Sequence, residues 1–315
     1  MKYALFGETG MKVSAMTLGT WGMGGVGWDV YDEETKADAI RAALEEGINF
    51  FDTAPAYNAG AAERFLGKTL KENVSRDQVY ISTKCGNVFK DGIQYVRDGR
   101  YDSIIRQCEE SLKNLQTDYI DLMLIHWPDP DTPFEETMDA LNRLKREGKI
   151  LHTGVSNFSM EQMKEVRRFG HIEAYQPHYS MVNREFEEVM KWAAEEGMGI
   201  MTYGSLGGGI LTGRYRELMT FPPADSRNRF YKHFQEPMFS RVMELLKVMD
   251  EVSEKYDHLP LSQIALQWCY QKPFVSTCIV GTQKRERVQE NARSFSQEIS
   301  AEDRARIHEA VDQLK

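Results

Sequence analysis

Cysteine is scarce in this chain: four among 315 residues, at positions 85, 108, 269 and 278, without paired spacing. That argues against a disulfide framework, and reduced thiols in a cytoplasmic protein are expected. Long apolar runs are missing too. Nothing approaches the roughly 20 apolar residues a membrane helix needs, and the first residues carry neither a long apolar segment nor a small-residue cleavage pattern. Basic residues are not in excess: Lys and Arg number 39 against 48 Asp and Glu, a formal net charge of −9. This argues against nucleic acid as a partner, which needs basic stripes. An anionic cofactor remains compatible, because helix N-termini and a few cations hold phosphate locally. The seven His are scattered, with no His-Glu-x-x-His or Cys-x-x-Cys array, so no metal is expected.

What the chain has is repetition. Ala37, Ile40 and Leu44 fall on one helical face, Gly47 follows, and Ile48 to Phe51 reads as a strand. Ile104, Cys108, Leu112 and Leu115 form a second stripe; Phe134, Met138 and Leu141 form a third, stopped by Gly148. Gly170 and Gly197 precede later strands, and glycine fits the left-handed position that ends a helix. The strands read as 16–20, 49–54, 79–84, 121–126, 151–157, 174–179, 199–204 and 276–281. Eight strands alternating with helices predict an α/β fold, a closed (β/α)8 TIM barrel. Residues 1–13, with Gly-Glu-Thr-Gly at their middle, predict a β-hairpin cap on the barrel's bottom. Residues 211–237 have no clear periodicity, and a loop of that length is usually functional, often a lid. With no Ser- or Pro-rich linker, one domain over 1–315 is expected.

Gly22-Met23-Gly24-Gly25-Val26-Gly27 matches the G-x-G-x-x-G dinucleotide pattern. That pattern needs a helix to start on the loop itself. Here the helix is expected only near Asp32 or Glu33, so a barrel-rim loop is the preferred reading. The stronger signal is at the strand ends. Asp52, Lys84 and His126 each close an apolar run, and Tyr57 lies on the loop after Asp52. In a parallel barrel all would meet at the carboxyl rim, where barrel enzymes keep their chemistry. A free phenol has a pKa of about 10. An adjacent Lys84 ammonium is expected to stabilise the phenolate, and Asp52 to keep Lys84 charged and in place. Tyr57 would then protonate a carbonyl oxygen while hydride reaches the carbon, with His126 bonded to the substrate oxygen or the phenol. Singly, each residue has a structural alternative: a turn cap, a solvated strand end, a core histidine, a packing tyrosine.

The chain resembles the aldo-keto reductase family nearly end to end. The resemblance is carried by Leu18-Gly-Thr-Trp21, Phe51-Asp-Thr-Ala-Pro-Ala-Tyr57, Ile81-Ser-Thr-Lys84, Asp121-Leu-Met-Leu-Ile-His126 and Gly154-Val-Ser-Asn157. It continues in Gln176-Pro-His-Tyr-Ser180, Asn183-Arg184, Leu211-Thr-Gly-Arg-Tyr215 and Val288-Gln-Glu-Asn291. It implies an NAD(P)H-dependent oxidoreductase interconverting an aldehyde or ketone with an alcohol, and the tetrad Asp52, Tyr57, Lys84 and His126. It also implies cofactor contacts. Thr20 and Trp21 would lie near the nicotinamide ribose, and Asp52 would be a further cofactor contact; Ser156, Asn157 and Gln176 would hold the carboxamide; Tyr203 would stack on the nicotinamide ring. Leu206 to Gly209 and Arg214 would face the pyrophosphate, its triple glycine letting backbone amides approach closely.

Two stretches depart from the family pattern. Tyr203-Gly204-Ser205-Leu206 stands where Tyr-Ser-Pro-Leu is frequent, which shifts the expected serine contact to Ser205. In Gly281-Thr-Gln-Lys-Arg-Glu-Arg287, Gln283 stands where many members carry a charge, whereas Arg287, Glu290 and Asn291 keep their places. Lys284 and Arg285 remain alternatives, as compensating or merely solvated charges. NADP is the expected cofactor, with NAD as the alternative. Trp21, Trp28, Tyr57, Phe89, His126 and Trp127 are the expected substrate pocket, suited to a ligand with an apolar face. Two other readings stay open: a cofactor-sensing subunit with little turnover, and a lyase forming a Schiff base on Lys84. The partner is expected to be a small carbonyl or alcohol substrate, with no membrane; oligomeric state is not legible.

Overall fold

A computed structural model describes all residues except 26, 91–93, 297 and 315. Eight strands form a closed parallel barrel: β1 (Met16–Gly19), β2 (Phe50–Asp52), β3 (Tyr80–Cys85), β4 (Ile120–Ile125), β5 (Ile150–Ser156), β6 (Ala174–Gln176), β7 (Gly199–Thr202) and β8 (Thr277–Gly281). Each pairs with its sequence neighbour, and β8 closes onto β1 through Cys278 opposite Met16 and Gly281 opposite Gly19. All eight expected strands are present. Three end early. After Gln176, Pro177 has no N–H to donate, and the ladder continues only as a bridge between His178 and Tyr203. Gly204, at φ +69°, turns β7 out of the sheet, and β2 stops at Asp52 just before Pro55.

The interior follows from the strand period of two. Phe50, Leu122, Leu124, Ala174, Met201 and Ile279 pack within the barrel against Phe6, Met11 and Val13. These last three come from the hairpin Tyr3–Leu5 with Lys12–Ser14, which plugs the amino-terminal end as expected. Phe6 meets Phe50 edge-on at 5.6 Å. A Cβ at Gly199 would come within 2.6 Å of the Phe6 ring, so glycine is required there for the plug to seat. Two residues further along the same inward rows stand Asp52, His126 and Gln176, at the opposite end.

The outer helices bury the stripes read from sequence. The helix Tyr101–Leu115 buries Ile104, Cys108, Leu112 and Leu115, and Phe134–Arg146 buries Met138 and Leu141. Asp32 caps Glu33–Glu45 by accepting from the Thr35 N–H at 2.8 Å. Gly47, Gly148 and Gly197 take positive φ as expected; Gly170 does not. The helix before it, Met160–Val166, ends earlier, and Gly170 is instead packed close against the side-chain ends of Met138 and Asn142, which a Cβ would have to displace. A hairpin not foreseen, Asn87–Lys90 with Gln94–Arg97, rises beyond β3. Among the described residues, no helix is long and apolar enough to cross a membrane.

Candidate active site

Lys84 is the hub of the carboxyl rim. Its Nζ, buried with almost no exposure, donates to Asp52 Oδ1 at 3.0 Å and Oδ2 at 2.8 Å, to the Thr53 carbonyl at 2.8 Å and to Tyr57 Oη at 3.2 Å. Asp52 Oδ1 also accepts from Ser82 Oγ at 2.8 Å and Gln176 Nε2 at 2.9 Å. The pair is thus desolvated but well supplied with partners, the condition under which a buried ion pair holds its geometry. Tyr57 is placed by the turn after β2, where its N–H bonds the Ala54 carbonyl at 3.0 Å. Its ring lies 6.1 Å from Trp21, nearly parallel, and 6.3 Å from His126, edge-on. Asp52, Tyr57, Lys84 and His126 therefore share one rim.

The electrostatics differ from expectation in one respect. The Tyr57 phenol is pushed well above its usual value, by burial first and then by the Asp52 carboxylate. An acidified phenol was expected. Asp52, paired with the ammonium, opposes its effect at Tyr57, and desolvation decides the sign. Burial lowers the Lys84 pKa, while Asp52 and then Glu63 oppose the shift. His126 is held well below its usual value by burial, Lys84 and Arg97, so its imidazole is neutral near pH 7. The resting site therefore has a protonated phenol beside a neutral imidazole. Because Lys84 donates to the phenol oxygen, the phenol's own proton is free to point elsewhere.

The residues expected to meet a cofactor lie around this centre. Thr20 is buried, its hydroxyl donating to the Asp52 carbonyl at 3.0 Å. Asn157 Nδ2 donates to the His126 carbonyl and to Ser156 Oγ, both at 3.0 Å, and its Oδ1 accepts from Tyr203 Oη at 2.8 Å. Tyr203 stacks on His178 with ring centres 4.9 Å apart. Gly207, Gly208 and Gly209 all take positive φ, turning successive amides through a tight curve, and exposed Arg214 stands just beyond. Ser205 behaves otherwise: its hydroxyl turns inward to Thr202 Oγ1 at 3.2 Å. At the end of β8, Gln283 Nε2 donates to the Asp29 carbonyl at 2.8 Å, and its buried Oε1 has no partner among the described residues. Arg285 is committed to Asp38 and Glu45 on the first helix, which settles it as a structural cation. Arg287 pairs with Glu290 at 2.9 Å, while Asn291 is buried. A three-glycine curve, an exposed arginine beside it and an unpartnered amide oxygen fit an extended dinucleotide.

The G-x-G-x-x-G stretch is no helix entrance. Trp21–Gly24 is a 3-10 turn, and the helix starts at Glu33. Trp28 packs edge-on to Trp21 at 5.2 Å and to Tyr231 at 6.5 Å. The 211–237 segment crosses here: Ser226 N–H bonds the Gly27 carbonyl at 3.0 Å, Arg227 Nε the Gly208 carbonyl at 3.2 Å, and Phe230 meets Trp21 at 5.3 Å. Phe89 lies higher on the unforeseen hairpin, 44% exposed and against Tyr95. Trp127 lies under the Arg97 guanidinium, 4.9 Å away. Sequence reasoning missed Arg97 and Glu63, a buried carboxyl bonded to Thr83 and Asn114. The Asp91-Gly92 pair between alternating Val88-Phe89 and Tyr95-Val96 was the available hairpin signal.

A closed parallel barrel with a lysine–carboxylate–phenol cluster at its carboxyl rim defines a class, and comparison with known proteins names it. The model of the aldo/keto reductase family matches residues 15–312, and the chain belongs to that family. It is 37% identical to the aldo-keto reductase YhdN of Bacillus subtilis over 313 residues, covering 99% of this chain and 94% of that protein. It is 30% identical to the NADH-specific methylglyoxal reductase of Escherichia coli, across the full length of both. Among solved structures, the glycerol dehydrogenase AKR11B4 of Gluconobacter oxydans superposes with a TM-score of 0.87 at 32% identity, covering 99% of this chain and 94% of that one. The protein is accordingly an oxidoreductase that reduces carbonyl groups with a nicotinamide cofactor.

Proposed function

We propose that Tyr57 is the general acid of this carbonyl reductase, that Lys84 and Asp52 hold its oxygen in place, and that neutral His126 orients the substrate oxygen. The observation carrying this reading is the 3.2 Å contact in which Lys84 Nζ donates to Tyr57 Oη. It leaves the phenol O–H as donor toward the cavity. A reduced nicotinamide supplies the hydride when bound. Tyr57 delivers the proton to the developing alkoxide, and Lys84 then stands beside the phenolate that remains, offsetting its charge. The phenol's raised pKa keeps it loaded with its proton throughout the neutral range. In the alcohol-oxidising direction the same phenolate, still bonded to Lys84, accepts the proton back.

NADPH is the cofactor this reading favours. Lys284, over the Tyr31 ring at 4.7 Å, has no ion pair among the described residues, and Arg287 is held only by an exposed pair to Glu290. Such pairs are worth about 0–1 kcal/mol and yield readily to a phosphate. The proposed setting is the cytoplasm, with a small carbonyl or alcohol as partner.

The test is turnover of a panel of aldehydes and ketones with NADPH and with NADH, following alcohol and oxidised cofactor together. Stoichiometric formation of both, with kcat/KM favouring NADPH and the preference shrinking in Arg287→Ala, is expected. No turnover in either direction contradicts the reading, and a wild-type preference for NADH overturns the cofactor assignment alone.

A further inference from the structure

Resting on the carbonyl-reductase reading, the geometry points to Arg97 as the recognition residue for an anionic group, carboxylate or phosphate, on the carbonyl substrate. Arg97 ends the hairpin Asn87–Lys90 with Gln94–Arg97, and its guanidinium lies over the indole of Trp127, the residue next to His126. That places a permanent cation on the loop that leaves β4 at His126, close enough for its charge to act on the imidazole. Among the described residues only one of its donors is used: Nη1 bonds the Pro128 carbonyl at 2.9 Å.

Among the described residues no carboxylate lies within 4 Å of Arg97, although ion pairs of Lys or Arg with a carboxylate are frequent elsewhere. Asp129, whose charge acts on it, is otherwise engaged. Its oxygens accept from the Gly99 N–H at 2.8 Å, the Asp131 N–H at 3.0 Å and Thr132 Oγ1 at 2.7 Å, which builds the loop. An exposed guanidinium resting on an aromatic face, its Nη2 and Nε without a partner among the described residues, can grip two oxygens at once. Its positive field already reaches the catalytic rim, where it adds to that of Lys84 in keeping His126 neutral. The same field draws an anion toward the site in a protein whose net charge of −9 otherwise repels one. The substrate class is therefore a short oxo acid or a phosphorylated aldehyde, with its hydrocarbon part against Trp127.

The experiment measures kcat/KM for two matched pairs: succinic semialdehyde against butyraldehyde, and glyceraldehyde 3-phosphate against glyceraldehyde. Wild type is compared with Arg97→Met and Arg97→Lys. The anionic-to-neutral ratio should fall about 10- to 100-fold in Arg97→Met, the scale of a charge-assisted hydrogen bond, mostly through KM. Arg97→Lys should retain part of it, and added salt should weaken the wild-type preference. A fall in one pair alone supports the inference and names the anion. A ratio unmoved by Arg97→Met, or a wild type preferring the neutral member of both pairs, overturns it. Turnover of the neutral aldehydes by the same Arg97→Met preparation reports a folded enzyme and keeps the reductase reading separate. Wild type inactive on all four compounds in both directions would instead sink that reading, and this inference with it.

Discussion

Replacing Lys84 by methionine removes the ammonium but keeps a chain of similar length in the barrel. The Asp52 carboxylate is then left buried, retaining among the described residues only Ser82 and Gln176 as side-chain donors. Breaking a buried pair on one side costs about 3–5 kcal/mol, and the two surviving donors put the expected loss at the lower end, about 3 kcal/mol. With an unfolding entropy of about 2.1 cal/mol/K per residue over 315 residues, 1 kcal/mol moves Tm by about 1.5 °C. Lys84→Met should therefore melt about 5 °C below wild type. Asp52→Asn strands the opposite charge, leaving Lys84 with the Thr53 carbonyl and Tyr57. The double variant strands neither, so its loss should undercut the sum of the single losses by more than about 1 kcal/mol. Calorimetry and chemical denaturation of all four proteins give the cycle. Losses that add within about 0.5 kcal/mol, the range for independent sites, would refute the claim that the two charges hold each other.

Three further outcomes follow from the same geometry. Glu173 joins β5 to β6 from below; burial raises its pKa, but bonds from His152, Lys145 and Thr153 win and hold it at about 2. The unfolded chain takes up this proton first, so the stability it confers is complete above pH 4.5 and lost between 4.5 and about 2, amounting to up to about 3 kcal/mol. Acid titration of Glu173→Gln should show a shallower loss there than wild type, and coincident slopes would contradict this. Gly209, at φ +98°, is outside the range side chains readily adopt. Gly209→Ala should weaken dinucleotide binding about tenfold, read by tryptophan quenching, and unchanged affinity would remove the turn from the cofactor site. Reduction should show no inflection between pH 6 and 9, since burial keeps His126 neutral and Tyr57 protonated. A step near 6.5 in kcat would mean that the imidazole titrates.

The barrel was legible because its strands are buried on both faces and read as short apolar runs punctuated by helices and glycines. Phe50-Phe51-Asp52 and Leu122 to Ile125 before His126 declare both the strand and the point where it leaves the core. The hairpin around Arg97 was less legible, because its residues alternate beside the solvent and lack an apolar run. The direction of the Tyr57 shift was not readable at all. It depends on how completely Asp52 neutralises Lys84, a matter of ångströms. Gly170 and Arg285 teach the same lesson: a helix that stops at Val166, and two acids on a neighbouring helix, decide roles that composition leaves open.

The central claim, that Tyr57 hands its proton to the substrate, is tested most directly by single-turnover hydride transfer in Tyr57→Phe, with NADPH affinity measured on the same sample. The account predicts transfer slowed about 10²- to 10⁴-fold, the range for a lost general acid, with cofactor affinity within about twofold of wild type. Equal transfer rates in the two proteins would contradict it.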